Sequence, residues 1–312
     1  MFSEQIQAPP AFDFYHYDEQ LTDSQRAIQQ QVREWVQHVV VPNINPYWDR
    51  AEFPYDIAMR LRELPIIGGM MPREYGGAGL DAMSMGLVIS ELAKGDGSVG
   101  TFYGVHSGLA MGSIALLGSE EQKARWLPAM SRLEKIGAFG LTEPARGSAA
   151  VDVQTRAHRD GSHYILNGSK HWIGNASLAG VLIIWARDDD GKFGGFVIED
   201  PNEVEGVTIE IMEGKIGKRS VMNARIQLDN VRVPAENRLA YVSSFKDTAM
   251  VLGAGRYGVS WEAAGVATAA YEYALDFTKE REQFGKPIAG FQLIQQKLVE
   301  MATEVTLMRG MC

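Results

Sequence analysis

The ten residues FGLTEPARGS, positions 139–148, divide two kinds of sequence. Before them apolar residues recur with a helical period, and after them they alternate. Thr142, Glu143 and Pro144 put a hydroxyl, a carboxylate and a residue without a backbone N–H at the end of an apolar strand, and Gly147 and Ser148 follow. Such a run continues neither helix nor strand, so it is a loop. It is either a plain turn or a loop that faces a ligand.

The N-terminal side reads helical. TDSQRAIQQQVREWVQHVVVP, from Thr22, has Gln25 three residues on, the spacing of a capping box. Ile28, Val32, Trp35, Val36 and Val39 then share one face, and Pro42 stops the run. A second helix is expected over 55–64, a glycine-rich loop over 68–80, and two more helices in DAMSMGLVISELAKGDG and SVGTFYGVHSGLAMGSIALLG. Ser119 and Gln122 make a second capping box.

On the other side, alternation with turns at Asp160-Gly161 and Asp190-Gly191 predicts two hairpins. With GVTIEIM and ARIQLDNVRVP they suggest a small antiparallel sandwich or barrel. After Pro234 one long helix is expected, its many Gly and Ala residues implying close helix–helix approach, and another follows Pro287. The expected class is α+β: a helical domain over 1–135, an antiparallel β-domain over 136–240 and a partial helical bundle over 241–312.

Composition bounds the function. At 312 residues there is room for two or three packed units. A net charge of -9 argues against a general nucleic-acid binder. The single cysteine, Cys312, allows no intramolecular disulfide, and the six histidines show no metal-ligand spacing. The opening MFSEQIQAPP has no basic start before an apolar core, so no secretory leader is expected. The longest apolar run, GVLIIWA, is strand-length, and no membrane association is expected.

Two further segments stand out: KHWIGN at 170–175 and REQFGKPIAGFQ at 281–292. Together with the 139–148 loop, in this order and in an α–β–α context, they resemble the flavin-contacting motifs of the acyl-CoA dehydrogenase and oxidase superfamily. GTFYGVHSGLAM, GSEEQKARWLP, KIGKRSV and FQLIQQKLVEM resemble most the glutaryl-CoA dehydrogenase branch and the plant short-chain acyl-CoA oxidases. The resemblance covers essentially the whole chain.

It implies FAD-dependent α,β-dehydrogenation of an acyl-CoA thioester, in fatty-acid or amino-acid catabolism. Phe139, Leu141, Thr142, Gly147, Ser148, Trp172, Ile173 and Gly174 would contact the flavin; Arg281 and Gln292 would reach the FAD of a neighbouring subunit in a homotetramer. Gly100, Thr101, Ser148 and Arg256 would border the substrate. Electrons would pass to an electron-transfer flavoprotein or, in the oxidase alternative, to O2. The compartment implied is the cytoplasm, or the mitochondrial matrix or peroxisome in a eukaryote.

The sequence departs from the pattern in two places. Gly100 stands where the glutaryl branch carries an arginine for the distal carboxylate, so a short, uncharged acyl group is expected. The usual Tyr-Glu-Gly segment with the catalytic glutamate does not follow Phe284, and the alternative glutamate position holds Gly255, with Glu262 nearly two turns further along. The catalytic base is therefore unassigned. The resemblance implies a C-terminally truncated chain, in which Ile294, Leu298, Met301 and Val305 would be uncovered, and a further alternative is a non-catalytic fragment that only binds flavin or CoA ligand, or oligomerises.

Overall fold

The computed structural model describes residues 13–312; the opening MFSEQIQAPP, and with it the expectation about a leader, lies outside them. Helix α1 (Asp23–Trp35) begins as its cap requires: the Thr22 hydroxyl accepts from the Gln25 N–H and the Gln25 side chain accepts from the Thr22 N–H. A π-helical turn (Val36–Val40) carries its apolar face on to Pro42. Short helices α2 (Asn45–Arg50) and α3 (Tyr55–Met59) and the glycine-rich loop follow. Asp81 and Asp96 then cap α4 (Ala82–Gly95) and α5 (Gly97–Tyr103). From α5 the chain runs without a break through a π-helical segment (Gly104–Ala110) into α6 (Met111–Leu117). Ser119 and Gln122 close the second capping box at α7 (Glu120–Ser131).

Seven strands form one sheet: β1 (Ile136–Gly140), β2 (Arg156–Asp160), β3 (His163–Gly174), β4 (Ala179–Asp188), β5 (Phe193–Glu199), β6 (Val207–Ile211) and β7 (Asn223–Pro234). The β2–β3 and β4–β5 hairpins turn at Gly161 and Gly191, both at positive φ. The expectation of a purely antiparallel domain needs correction, because β4 pairs in parallel with β1 and, at its end, with β2. The long loop after β1 lets β2 run in the direction of β1, and both lie along one edge of β4. Leu166, Leu182, Ile184, Phe196, Ile226 and Val231 fill the core of this layer.

The chain returns to helix at α8 (Phe245–Glu280), 36 residues long and capped by Ser244. It crosses α4 at two glycines. A methyl added to Gly86 would sit 2.2 Å from the Trp261 ring, and one on Gly265 would sit 2.3 Å from the Ser90 carbonyl. A two-strand turn, β8 (Glu282–Gln283) with β9 (Lys286–Pro287), then reverses the chain into α9 (Gln292–Met311). This reversal corrects the expectation of an uncovered face: Leu298, Met301 and Val305 pack back on Tyr271 of α8, and Ile294 is half-buried. Among the described residues no helix is long and apolar enough to cross a membrane, and no group of three or more His, Cys, Asp or Glu is placed to hold a metal.

Candidate active site

The decisive local feature is a bulge. Strand β3 loses register against β7 between Lys170 and Ile173. Within it Trp172 adopts φ +64°, a conformation costly for a bulky L-residue, and 55% of its surface is exposed. Beside it, the His171 N–H donates to the Thr142 carbonyl at 2.8 Å, which brings the 139–148 loop and the bulge together. Gly174 ends the strand against the π-helical segment; a methyl there would lie 3.5 Å from Val105. Asn175, in left-handed conformation, donates to the Phe102 and Gly137 carbonyls and locks the strand end to both neighbours.

The sequence-predicted residues therefore divide. The His171 N–H bond puts Thr142 next to the Trp172 bulge, and Gly174 lies two residues further along β3. Gly147 and Ser148 are exposed on the same loop, and Gly147 has open space where a Cβ would stand. Phe139, Leu141 and Ile173 bury their side chains in the core, so only their backbones remain for a ligand. Arg281 and Gln292 are exposed at the end of α8 and the start of α9. Gly100 is buried with its missing side chain directed at Ala93 of α4, 3.6 Å away. Arg256 is exposed, and Gly255 faces Leu109.

A cavity of about 500 Å³ runs between the loop 68–72, α4, the π-helical segment and α8. Met70, Met71, Met85, Ile89, Leu116 and Val251 give it apolar walls, and no charged residue lines it. Gly108 and Gly112 line one wall of the cavity, and Gly104 is one turn before them; an added Cβ at any of the three would meet nothing within 4 Å. Val251, Ala254 and Gly258 line it on the turns of α8 that also carry Gly255.

Four buried polar side chains, His106, Lys170, Glu143 and Glu262, have partners that the sequence did not show. His106 is wholly buried: its Nδ1 accepts from the Gly137 N–H at 2.8 Å and its Nε2 lies 3.1 Å from the Met130 carbonyl. An acceptor at Nδ1 puts the proton on Nε2, the neutral form, and burial pushes its pKa down to about 4. Lys170, also wholly buried, donates to Glu143 (2.8 Å) and to the carbonyls of Leu141 (3.2 Å) and Trp185 (2.7 Å). Burial lowers Lys170 to about 8, still cationic at neutral pH. Burial would raise Glu143, but hydrogen bonds from Lys170, Thr155 and Gln154 outweigh it and hold the carboxylate below its ordinary range. Glu262 accepts from the Thr101 hydroxyl at 3.0 Å and pairs with Lys218 at 2.5 Å. Periodicity places residues on a face but cannot pair groups far apart in the chain, so all four residues were in view in the sequence but their partners were not.

This architecture matches known proteins along its length. Family models for the acyl-CoA dehydrogenase N-terminal, middle and C-terminal domains match residues 22–134, 138–231 and 245–312. The chain belongs to the acyl-CoA dehydrogenase family. A probable acyl-CoA dehydrogenase of Bacillus subtilis is 37% identical over 296 residues, 94% of this chain and 78% of that protein. A 3-(aryl)acrylate reductase of Clostridium sporogenes is 35% identical over 289 residues, 91% of this chain and 76% of that one. Among solved structures, a glutaryl-CoA dehydrogenase from Mycobacterium smegmatis in complex with FADH2 superposes with a TM-score of 0.91 at 36% identity, covering 95% of this chain and 76% of that one. Butyryl-CoA dehydrogenase from Megasphaera elsdenii gives 0.87 at 33%, covering 93% and 78%.

Acyl-CoA dehydrogenases use FAD, and some of the residues that the resemblance assigned to the flavin are accessible here. The strained, exposed indole of Trp172 offers a face, the half-buried Thr142 offers a hydroxyl and an amide, and the open Gly147 lets a ligand approach the backbone. The Glu262 carboxylate is engaged by Thr101 and Lys218, so it is not a free base.

Proposed function

We propose that this chain provides the flavin and acyl sites for α,β-dehydrogenation of an uncharged acyl-CoA, with butyryl-CoA preferred to glutaryl-CoA. The carrying observation is the hydrogen bond from the His171 N–H to the Thr142 carbonyl, which ties the 139–148 loop to the strained Trp172 bulge; the cavity between α4 and α8, with no charged residue in its lining, is the proposed acyl site. FAD, when bound, accepts the hydride that leaves the β-carbon. The chain's own residues orient and exclude. Thr142 supplies its hydroxyl and N–H, Trp172 packs beside the ring, and Gly147 and Ser148 admit phosphate or CoA groups. The apolar walls around Gly108 and Gly112 take the acyl chain and keep water from it. Arg281 and Gln292, exposed here, suit a contact across subunits of a tetramer, and the three units divide near 135 and 240. An electron-transfer flavoprotein is the proposed acceptor; H2O2 formed under air would instead identify an oxidase.

Three experiments test this. Trp172→Gly relieves a left-handed backbone, by about 1 kcal/mol, while removing the indole. It should melt no lower than the parent yet bind FAD about tenfold more weakly; unchanged FAD affinity would remove Trp172 from the site. Thr142→Val should weaken FAD by up to about tenfold, the worth of one hydrogen bond. For the acyl group, turnover of the holoenzyme on butyryl- and glutaryl-CoA decides, and a clear preference for glutaryl-CoA would overturn the uncharged assignment.

A further inference from the structure

We infer that Glu143 and Lys170 form one positioning unit that sets the backbone at Leu141 and Thr142, where the flavin would rest; this builds on the FAD assignment above.

The residues of strand β3 grip three consecutive residues of the loop. Lys170 holds the Leu141 carbonyl and the Glu143 carboxylate, and the His171 N–H holds the Thr142 carbonyl between them. Glu143 in turn closes the far end of the loop. Its Oε2 accepts from the Gln154 N–H at 2.6 Å, and its Oε1 accepts from the Thr155 N–H at 2.9 Å and hydroxyl at 2.5 Å. The third donor of Lys170 goes to Trp185 on β4. All three ammonium protons and both carboxylate oxygens thus have partners. Both ends of the loop are tied to this pair, while Pro144, Ala145 and 147–149 between them are exposed. The exposed part has little packing of its own, so its place is dictated from beneath.

Glycines make room for the arrangement. The Lys170 stem passes Gly140, whose added Cβ would stand 3.6 Å from the stem and 2.8 Å from Ile184. Gly168 allows Thr155 to approach; a methyl there would be 2.6 Å from its hydroxyl.

Energy alone does not explain such a pair. Taking both charges out of water cancels much of their attraction, and an apolar pair of like volume commonly does as well or better. What an ion pair with directional bonds adds is geometry, held to a fraction of an ångström where a ligand needs it. Glu143 therefore belongs to the motif as a brace under the flavin-facing residues and not as a ligand or a base.

The test compares the apoprotein and the FAD-loaded full chain of the parent with the double variant Glu143→Leu/Lys170→Met, which removes both charges and keeps volume. Measured are apoprotein melting, FAD Kd by fluorescence quenching, and the absorbance band and midpoint potential of bound flavin. The double variant should melt within a few degrees of the parent, bind FAD at least tenfold more weakly, and shift the flavin band and potential. Equal Kd, band and potential in both proteins would overturn the inference. Failure of the parent itself to bind FAD would overturn the assignment beneath it. If the double variant does not fold, Thr155→Val, which deletes one of the four bonds to Glu143, serves in its place. It should weaken FAD about threefold with little change in melting, and an unchanged Kd and flavin spectrum there would count against the brace.

Discussion

Acidifying the protein from pH 6.5 to 4 should remove on the order of 3 kcal/mol of stability through His106 alone. The imidazole is held neutral by the Gly137 N–H on one side and the Met130 carbonyl on the other, and its pKa falls to about 4 from the ordinary 6.5. Between these values the unfolded chain binds a proton that the native chain does not, so stability rises with pH across this window. The stability is complete above pH 6.5 and is lost as pH falls toward 4. About 2 kcal/mol should disappear between pH 6.5 and 5, before most carboxylates titrate. Urea midpoints across that range measure it. His106→Gln should be less stable at neutral pH but show a flatter slope below pH 6.5, so that the gap narrows on acidification, and an equal slope in both proteins would clear His106.

Gly265→Ala should destabilise by about 2–3 kcal/mol, against the usual preference of helices for alanine. The new methyl would stand 2.3 Å from the Ser90 carbonyl, and a backbone atom cannot swing aside. Helix α8 must then separate from α4, opening the wall shared with the apolar cavity. Gly253→Ala is the control on the same helix: nothing lies within 4 Å of its added methyl. There the change should be neutral or stabilise by up to about 1 kcal/mol. Opposite signs from one substitution type on one helix would identify packing, not propensity, as the reason for glycine. Equal signs would refute that account.

How much of this was legible in the sequence follows from the range of each interaction. Both capping boxes are local, spanning three residues, and Thr22 with Gln25 and Ser119 with Gln122 form as read. The hairpins at Gly161 and Gly191 are equally local. The parallel pairing of β1 with β4 joins residues about 45 positions apart, and alternation says nothing about it. The surroundings of Gly100 were out of reach for a similar reason. Its place in α5 could be read, but the phase that turns it toward Ala93 depends on where α4 lies. In the loop 139–148, residue types suggested a ligand, yet the Glu143 carboxylate turns inward to Lys170. Residue type alone does not distinguish a group that meets the ligand from one that supports its neighbours.

The contact of Thr101, Lys218 and Glu262 joins one residue from α5, one from the loop between β6 and β7, and one from α8. Arg219 extends the strap, donating to the Trp48 and Asp49 carbonyls. Sliding any of these three parts past the others breaks the same contact, so they should breathe together or not at all. The Lys218 side chain is about half in water, with 48% of it exposed, so dissolved ions reach the joint and weaken it. Ionic strength then acts as a tension control: in dilute buffer the three parts are drawn taut, and in strong salt they slacken in concert.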